Sequence, residues 1–174
     1  MTKVGIILGS ASDIAHAKKI TAVLEELGIG FEVTIASAHR TPDDVTNYAA
    51  GARKRGLEVI IAVAGLSAAL PGVVAAHTTL PVIGVPVESG SLLGMDALLS
   101  VAMMPPGVPV ASVGINGGNN AALLAARIVS LGDADTADRL AAYAASKADA
   151  VRAARRDPEK LAGLPAAPES ALGC

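Results

Sequence analysis

Leu57-Glu58-Val59-Ile60-Ile61-Ala62-Val63 is the stretch that decides the fold, because every position except Glu58 is apolar. A strand with one face in water alternates apolar and polar side chains, whereas a strand covered on both faces is apolar throughout. The run is too short for a buried helix, and Val and Ile favour the pleated conformation. It therefore predicts a buried strand in a parallel sheet.

Working outward, similar short runs occupy residues 4–8, 31–35, 82–85 and 108–113, and helical patterns fill the intervals. Residues 14–27 place Ile14, Ala17, Ile20, Leu24 and Leu27 on one stripe, ended by Gly28 and Gly30. Residues 42–55 read as a second helix closed by Gly56, residues 70–76 and 95–103 as short helices, and residues 119–131 as an Ala- and Leu-rich one. Repeated strand–helix units with short links predict an α/β three-layer sandwich. Its centre is a mostly parallel, doubly wound, flavodoxin-like sheet with right-handed crossovers. Residues 136–155 form a further helical pattern with a thin stripe of Leu140, Ala144 and Val151, which packs on its own domain or on a neighbouring subunit. The expected plan is a single α/β domain over residues 1–157 and a loose tail over 158–174, with Pro165 and Pro168 in it.

Composition narrows the function. With 174 residues and 52% hydrophobic content the chain can bury a sizeable core. A net charge of -2 provides no field for nucleic acid or an anionic membrane. Aromatic residues are only Phe31, Tyr48 and Tyr143, too few for base-stacking platforms. A mean hydropathy of +0.50 points to apolar surface buried between subunits. Met1-Thr2-Lys3-Val4 runs straight into a strand without a signal peptide, and no apolar run has membrane-spanning length, so a cytoplasmic protein is expected. Cys174 is the sole cysteine, which precludes a disulfide within the chain, and no metal-ligand spacing of His and carboxylates appears. Neither a metal nor a cofactor is expected.

In open parallel sheets ligands bind beyond the carboxyl ends of the strands. Five loops fall there: 9–13, 37–40, 64–69, 85–91 and 116–120. The second leads into Ser37-Ala38-His39-Arg40-Thr41-Pro42. Thr41 suits an N-cap, Pro42 the first helical turn, and Asp43 and Asp44 the positive end of the dipole. His39 and Arg40 do not suit that end unless an anion lies between them and the exposed N–H groups. This predicts an anion site with an acid/base group beside it. Ser10-x-x-Asp13 also fits a capping box, which would account for both residues without a ligand. His16 reads as a surface group of the first helix, and His77 as a cation placed at a helix C-terminus. No dinucleotide fingerprint, phosphate-loop lysine or G-x-S-x-G elbow is present.

These motifs together resemble the PurE family of purine biosynthesis over residues 4–131. The resemblance rests on Gly9-Ser10-x-Ser12-Asp13, Ser37-Ala38-His39-Arg40-Thr41-Pro42, Leu80-Pro81-Val82-Ile83-Gly84-Val85-Pro86 and Met104-Pro105-Pro106-Gly107-Val108-Pro109-Val110-Ala111. The family has two branches. Class I mutases move a carboxylate from the exocyclic nitrogen of N5-carboxyaminoimidazole ribonucleotide to ring carbon C4. Class II carboxylases join CO2 directly to C4 of aminoimidazole ribonucleotide. The class I loop Gly-Gly-Ala-Ala-His-Leu-Pro-Gly here reads Gly65-Leu66-Ser67-Ala68-Ala69-Leu70-Pro71-Gly72, so its histidine is replaced by Ala69. That loop is similar to class II, as are His16-Ala17-x-Lys19-Ile20 and residues 120–128, while Arg40-Thr41-Pro42 and residues 81–86 are similar to class I.

The resemblance implies a carboxylase acting on aminoimidazole ribonucleotide and CO2, with the mutase as the alternative reading and a non-catalytic nucleotide sensor as a reading of another class. It implies His39 as general acid/base. Ser10, Asp13 and Arg40 would hold the ribose phosphate, Ser12 would also bind substrate, Ser37 and Ala38 would line the ring, and Ser67, Ala68, Ala69 and Leu70 would border the CO2 and substrate. It also implies a homo-oligomer, an octamer being favoured.

Overall fold

A computed structural model describes residues 1–172. Gly173 and Cys174, the end of the expected loose tail, lie outside the described residues. The chain divides into two compact units, Met1–Leu140 and Ala141–Cys174.

The first unit holds a five-stranded parallel sheet of β1 (Thr2–Leu8), β2 (Gly30–Ile35), β3 (Val59–Gly65), β4 (Val82–Val87) and β5 (Ala111–Ser112), in the order β2-β1-β3-β4-β5. The links carry α1 (Ile14–Glu26), α2 (Pro42–Gly51), α3 (Leu70–Ala76), α4 (Met95–Ala102) and α5 (Gly118–Ser130). Helices cover both faces. Val45 and Ala49 of α2, Leu70 and Val74 of α3, and Ala97 and Val101 of α4 join Ile60, Ala62 and Ala64 in one core. On the other face α1 packs against α5. Ala121, Ala122, Ala125 and Ala126 are fully buried there, and small side chains let the two helices approach closely. Crossovers keep one hand in such sheets. The chain steps one way from β1 to β2 and the other way from β2 to β5, so the linking helix changes face when the direction reverses.

The decisive run behaves as its composition requires: Val59, Ile60, Ile61, Ala62 and Val63 are all 0% exposed. The strand starts two residues later than expected, because the Leu57 N–H bonds to the Ala52 carbonyl at 3.2 Å and closes the preceding turn. It then continues through Ala64 and Gly65, paired with Pro86 and Val87. β4 accordingly runs past Pro86. That residue's carbonyl accepts from Asn116 N–H at 2.9 Å, so its missing N–H lies on the side where β5 has already ended. β5 is two residues long rather than the expected six of 108–113, since Pro109 has no N–H to offer a ladder. The second helix gives way at Gly51 to a 3-10 turn, Arg53–Arg55, before Gly56 reverses the chain at φ 89°.

Two expected stripes fail in part. Ile14 is 42% exposed, and the outward face of edge strand β2 leaves Val33 47% and Ile35 50% exposed. These side chains line an open groove between α1 and β2, so the rule that both faces are covered does not hold at that edge. The helix α6 (Ala134–Arg156) forms, but of the expected Leu140, Ala144 and Val151 stripe, Ala144 is exposed and Val151 is 70% exposed.

Within the second unit Arg152 pairs with Asp149 at 2.8 Å, and Lys147 sits 4.5 Å from the centre of the Tyr143 ring. No helix among the described residues is long and apolar enough to cross a membrane.

Candidate active site

The strand order reverses direction between β1 and β3, and such a reversal opens a crevice beyond the carboxyl ends of the strands. A cavity of about 440 Å³ occupies that position, walled by the ends of β1, β2, β3 and β4.

The β1 end contributes Gly9, Ser10, Ser12 and Asp13, the last two within a 3-10 turn ahead of α1. Ser10 caps this turn in extended conformation: its Oγ accepts from the Ser12 N–H at 3.3 Å and from the Ser12 hydroxyl at 3.1 Å. Asp13 is only 6% exposed, and burial pushes its carboxyl above the usual range. The Ser12 hydroxyl, the Ser10 backbone N–H and the charge of His16 pull in the opposite direction. The capping arrangement and a place in the cavity wall therefore coexist in the same residues.

The β2 end contributes Ser37, Ala38, His39 and Arg40. Thr41 precedes α2 but makes no side-chain cap bond, contrary to expectation. Its Oγ1 instead accepts from the Ser37 N–H at 2.9 Å, and its own N–H bonds the Ser37 carbonyl at 2.8 Å. Thr41 thus staples the turn that carries His39, while Pro42 takes the first helical position. Arg40 reaches only the Ser37 hydroxyl, 3.4 Å from its Nε, and pairs with no carboxylate among the described residues. A guanidinium left unpaired beside a cavity suits an external anion.

The β3 end contributes Gly65, Leu66, Ser67, Ala68, Ala69 and Leu70. Leu66 holds φ at 54°, a left-handed conformation that an L side chain adopts at a cost. Ala68 and Leu70 are 3% and 2% exposed and belong to the core, so they form the wall, while Ser67 is exposed. The β4 end contributes Val87, Glu88 and Ser89.

All the residues expected at the site come together in this cavity, but the fifth loop does not line it. Asn116, at φ 59°, holds Glu88 instead: its Oδ1 accepts from the Glu88 N–H at 3.0 Å and its Nδ2 donates to Glu88 Oε2 at 3.1 Å. β5 stands at the far edge from the β1/β3 reversal, which leaves its loop to buttress rather than to line. His16 was expected at the surface and lies in the wall. Its spacing from Ser12 and Asp13, four and three residues, is the signal that could have found it. His77 stays apart, its Nδ1 2.8 Å from the Val73 carbonyl. Among the described residues no cluster of three or more His, Cys, Asp or Glu side chains could hold a metal.

A doubly wound parallel sheet with its crevice at the switch point defines a class: flavodoxin-like α/β proteins, which bind ligands at the carboxyl ends of their strands. Comparisons then narrow the class. The family described as AIR carboxylase matches residues 3–150. N5-carboxyaminoimidazole ribonucleotide mutase of Pyrococcus abyssi is 52% identical over 143 residues, 82% of each chain. The mutase of the same name from Mycobacterium tuberculosis (strain ATCC 25618 / H37Rv) is 50% identical over 92% of each chain. That from Bacillus subtilis is 56% identical over 79% of this chain and 86% of its own. The crystal structure of Treponema denticola PurE superimposes with a TM-score of 0.81 at 36% identity, covering 93% of this chain and 99% of that one. The chain belongs to the AIR carboxylase family, the PurE enzymes of purine biosynthesis.

Proposed function

We propose that this enzyme converts N5-carboxyaminoimidazole ribonucleotide to 4-carboxy-5-aminoimidazole ribonucleotide, the mutase activity, with His39 carrying the proton. One observation carries the choice: relatives 50–56% identical over 79–92% of the chain bear that name. This moves the preferred reading away from the direct carboxylase suggested by the loop after β3.

The chemistry needs only one proton carrier. Protonation of the exocyclic nitrogen breaks its bond to the carboxylate and releases CO2 into the crevice. The enamine carbon C4 then attacks the CO2, and the C4 proton leaves. The net change is one carboxylate moved from N to C and one proton moved from C to N. His39 can give the first proton and recover the second. The missing histidine at Ala69 is therefore no bar to the mutase. The apolar wall of Ala68, Ala69 and Leu70 suits a neutral CO2 held between the two half-reactions. Arg40 and the Ser10 and Ser12 hydroxyls would take the phosphate, and Asp13 a ribose hydroxyl.

The direct carboxylase stays as a second reading because the 65–72 loop favours it. It shares the second half-reaction and differs only in taking CO2 from solution. Each ribonucleotide is to be supplied separately under controlled CO2. The mutase reading expects rapid conversion of the N-carboxylated substrate in CO2-free buffer. Turnover confined to aminoimidazole ribonucleotide plus CO2 would transfer the assignment to the carboxylase.

A homo-oligomer completes this reading. Leu92, Leu93, Leu99 and Met103 are 61%, 65%, 53% and 77% exposed, and apolar surface of that extent is ordinarily covered.

A further inference from the structure

The His16 imidazole stands in the wall of the cavity, yet nothing in the proposed chemistry uses it. Its Nδ1 is buried without a hydrogen-bond partner. With Nδ1 enclosed, Nε2 is the ring nitrogen left to meet a ligand, and as an N–H it donates.

Its neighbours in the cavity wall indicate what that donor can meet. Ser12, in the 3-10 turn, and His16, in the first turn of α1, both line the cavity, as does Arg40 from the end of β2. The backbone beneath is held firmly. A Cβ added at Gly118 of α5 would stand 3.3 Å from the His16 carbonyl and 3.2 Å from Ile20 Cγ1, so α1 and α5 are in close contact there. Asp13 already accepts from the Ser12 hydroxyl at 3.3 Å, and a carboxylate repels phosphate, so it is left to hydroxyl ligands.

We propose that His16 is a phosphate-binding residue of this site, its Nε2–H donating to a phosphate oxygen of the nucleotide beside the Ser12 hydroxyl and opposite Arg40. This rests on the ribonucleotide reading above. It makes His16 a determinant of affinity for the phosphorylated substrate rather than a proton carrier in the reaction.

The test compares His16→Leu, which keeps bulk and removes the donor, with His16→Gln, whose side-chain amide offers an N–H at a similar reach. Inorganic phosphate is titrated against each protein, and KM and kcat are measured for the ribonucleotide and for the riboside lacking phosphate. Hydrogen bonds to charged groups imply that His16→Leu weakens phosphate binding and raises the ribonucleotide KM about 10- to 100-fold. On the same basis kcat changes by less than about threefold and His16→Gln recovers most of the loss. The riboside should be handled equally by all three proteins. Unchanged phosphate affinity in a folded His16→Leu protein, an equal loss with the riboside, or no rescue by His16→Gln would overturn the proposal. If wild type binds phosphate through His16 but converts neither ribonucleotide, the functional reading fails and the phosphate site stands.

Discussion

At the level of single residues, His39 and Asp13 make opposite demands. His39 is exposed on a turn stapled by Thr41, so its replacement should leave the fold intact. His39→Asn is expected to lower kcat about 100- to 10,000-fold, the usual worth of a general acid/base, with an unchanged melting curve. Asp13 is buried and its carboxyl is raised by desolvation. An acid whose folded pKa exceeds its unfolded one opposes folding once it is ionised, so the penalty is present above the raised value and disappears as pH falls below the ordinary 3.8. Asp13→Asn should therefore raise the melting temperature at neutral pH, lose that advantage in acid, and lose activity throughout. A variant that melts lower at neutral pH would show that the carboxylate is held for stability. The sequence made His39 and Arg40 conspicuous because two cations at a helix start need an explanation. His16 stayed hidden because its neighbours Ala15, Lys18 and Lys19 read as a solvated face. Only the folded structure shows its Nδ1 buried.

The elements show which parts of a fold a sequence encodes locally. β3 was legible because burial on both faces writes itself into an unbroken apolar run. β5 was overestimated because apolar content says nothing about the N–H that Pro109 lacks. The start of α6 was missed by two residues, and there the cause is an ion network. Asp133 accepts from the Thr136 N–H at 3.1 Å and from Lys3 Nζ at 2.9 Å, and Lys3 lies 3.3 Å from Glu58. The Lys3 and Thr136 bonds bring the Asp133 carboxyl from 3.8 to about 2. A carboxyl with a depressed folded pKa contributes stability above its unfolded value and loses it as pH falls toward the folded one. Asp133→Asn should lower the melting temperature at neutral pH and flatten its fall between about pH 4 and 2. An unchanged acid limb would contradict this. Arg139 secures the same corner, its Nε 2.7 Å from the Leu27 carbonyl.

For the whole molecule, close packing limits what the sheet tolerates. A Cβ at Gly84 would collide with Val101 Cγ1 and lie 3.2 Å from Pro71 Cβ, so β4 needs glycine where α4 and α3 cross it. Gly84→Ala should cost about 1–3 kcal/mol by denaturant titration, the range for overpacking. The exposed apolar side chains predict that light scattering finds a multiple of 17.2 kDa, and a monomer would remove the oligomer from the account. The sheet order concentrates chemistry at one reversal, which is why loops scattered from residue 9 to residue 89 meet in one cavity. The central claim is that this cavity moves a carboxylate within one ribonucleotide by way of His39. It is tested most directly by following N5-carboxyaminoimidazole ribonucleotide, labelled with carbon-13 in its carboxylate, by NMR in CO2-free buffer with wild-type and His39→Asn protein. Wild type is expected to transfer the label to C4, and the variant to do so at a small fraction of that rate. Label lost only as CO2, or transferred equally fast by the variant, would contradict it.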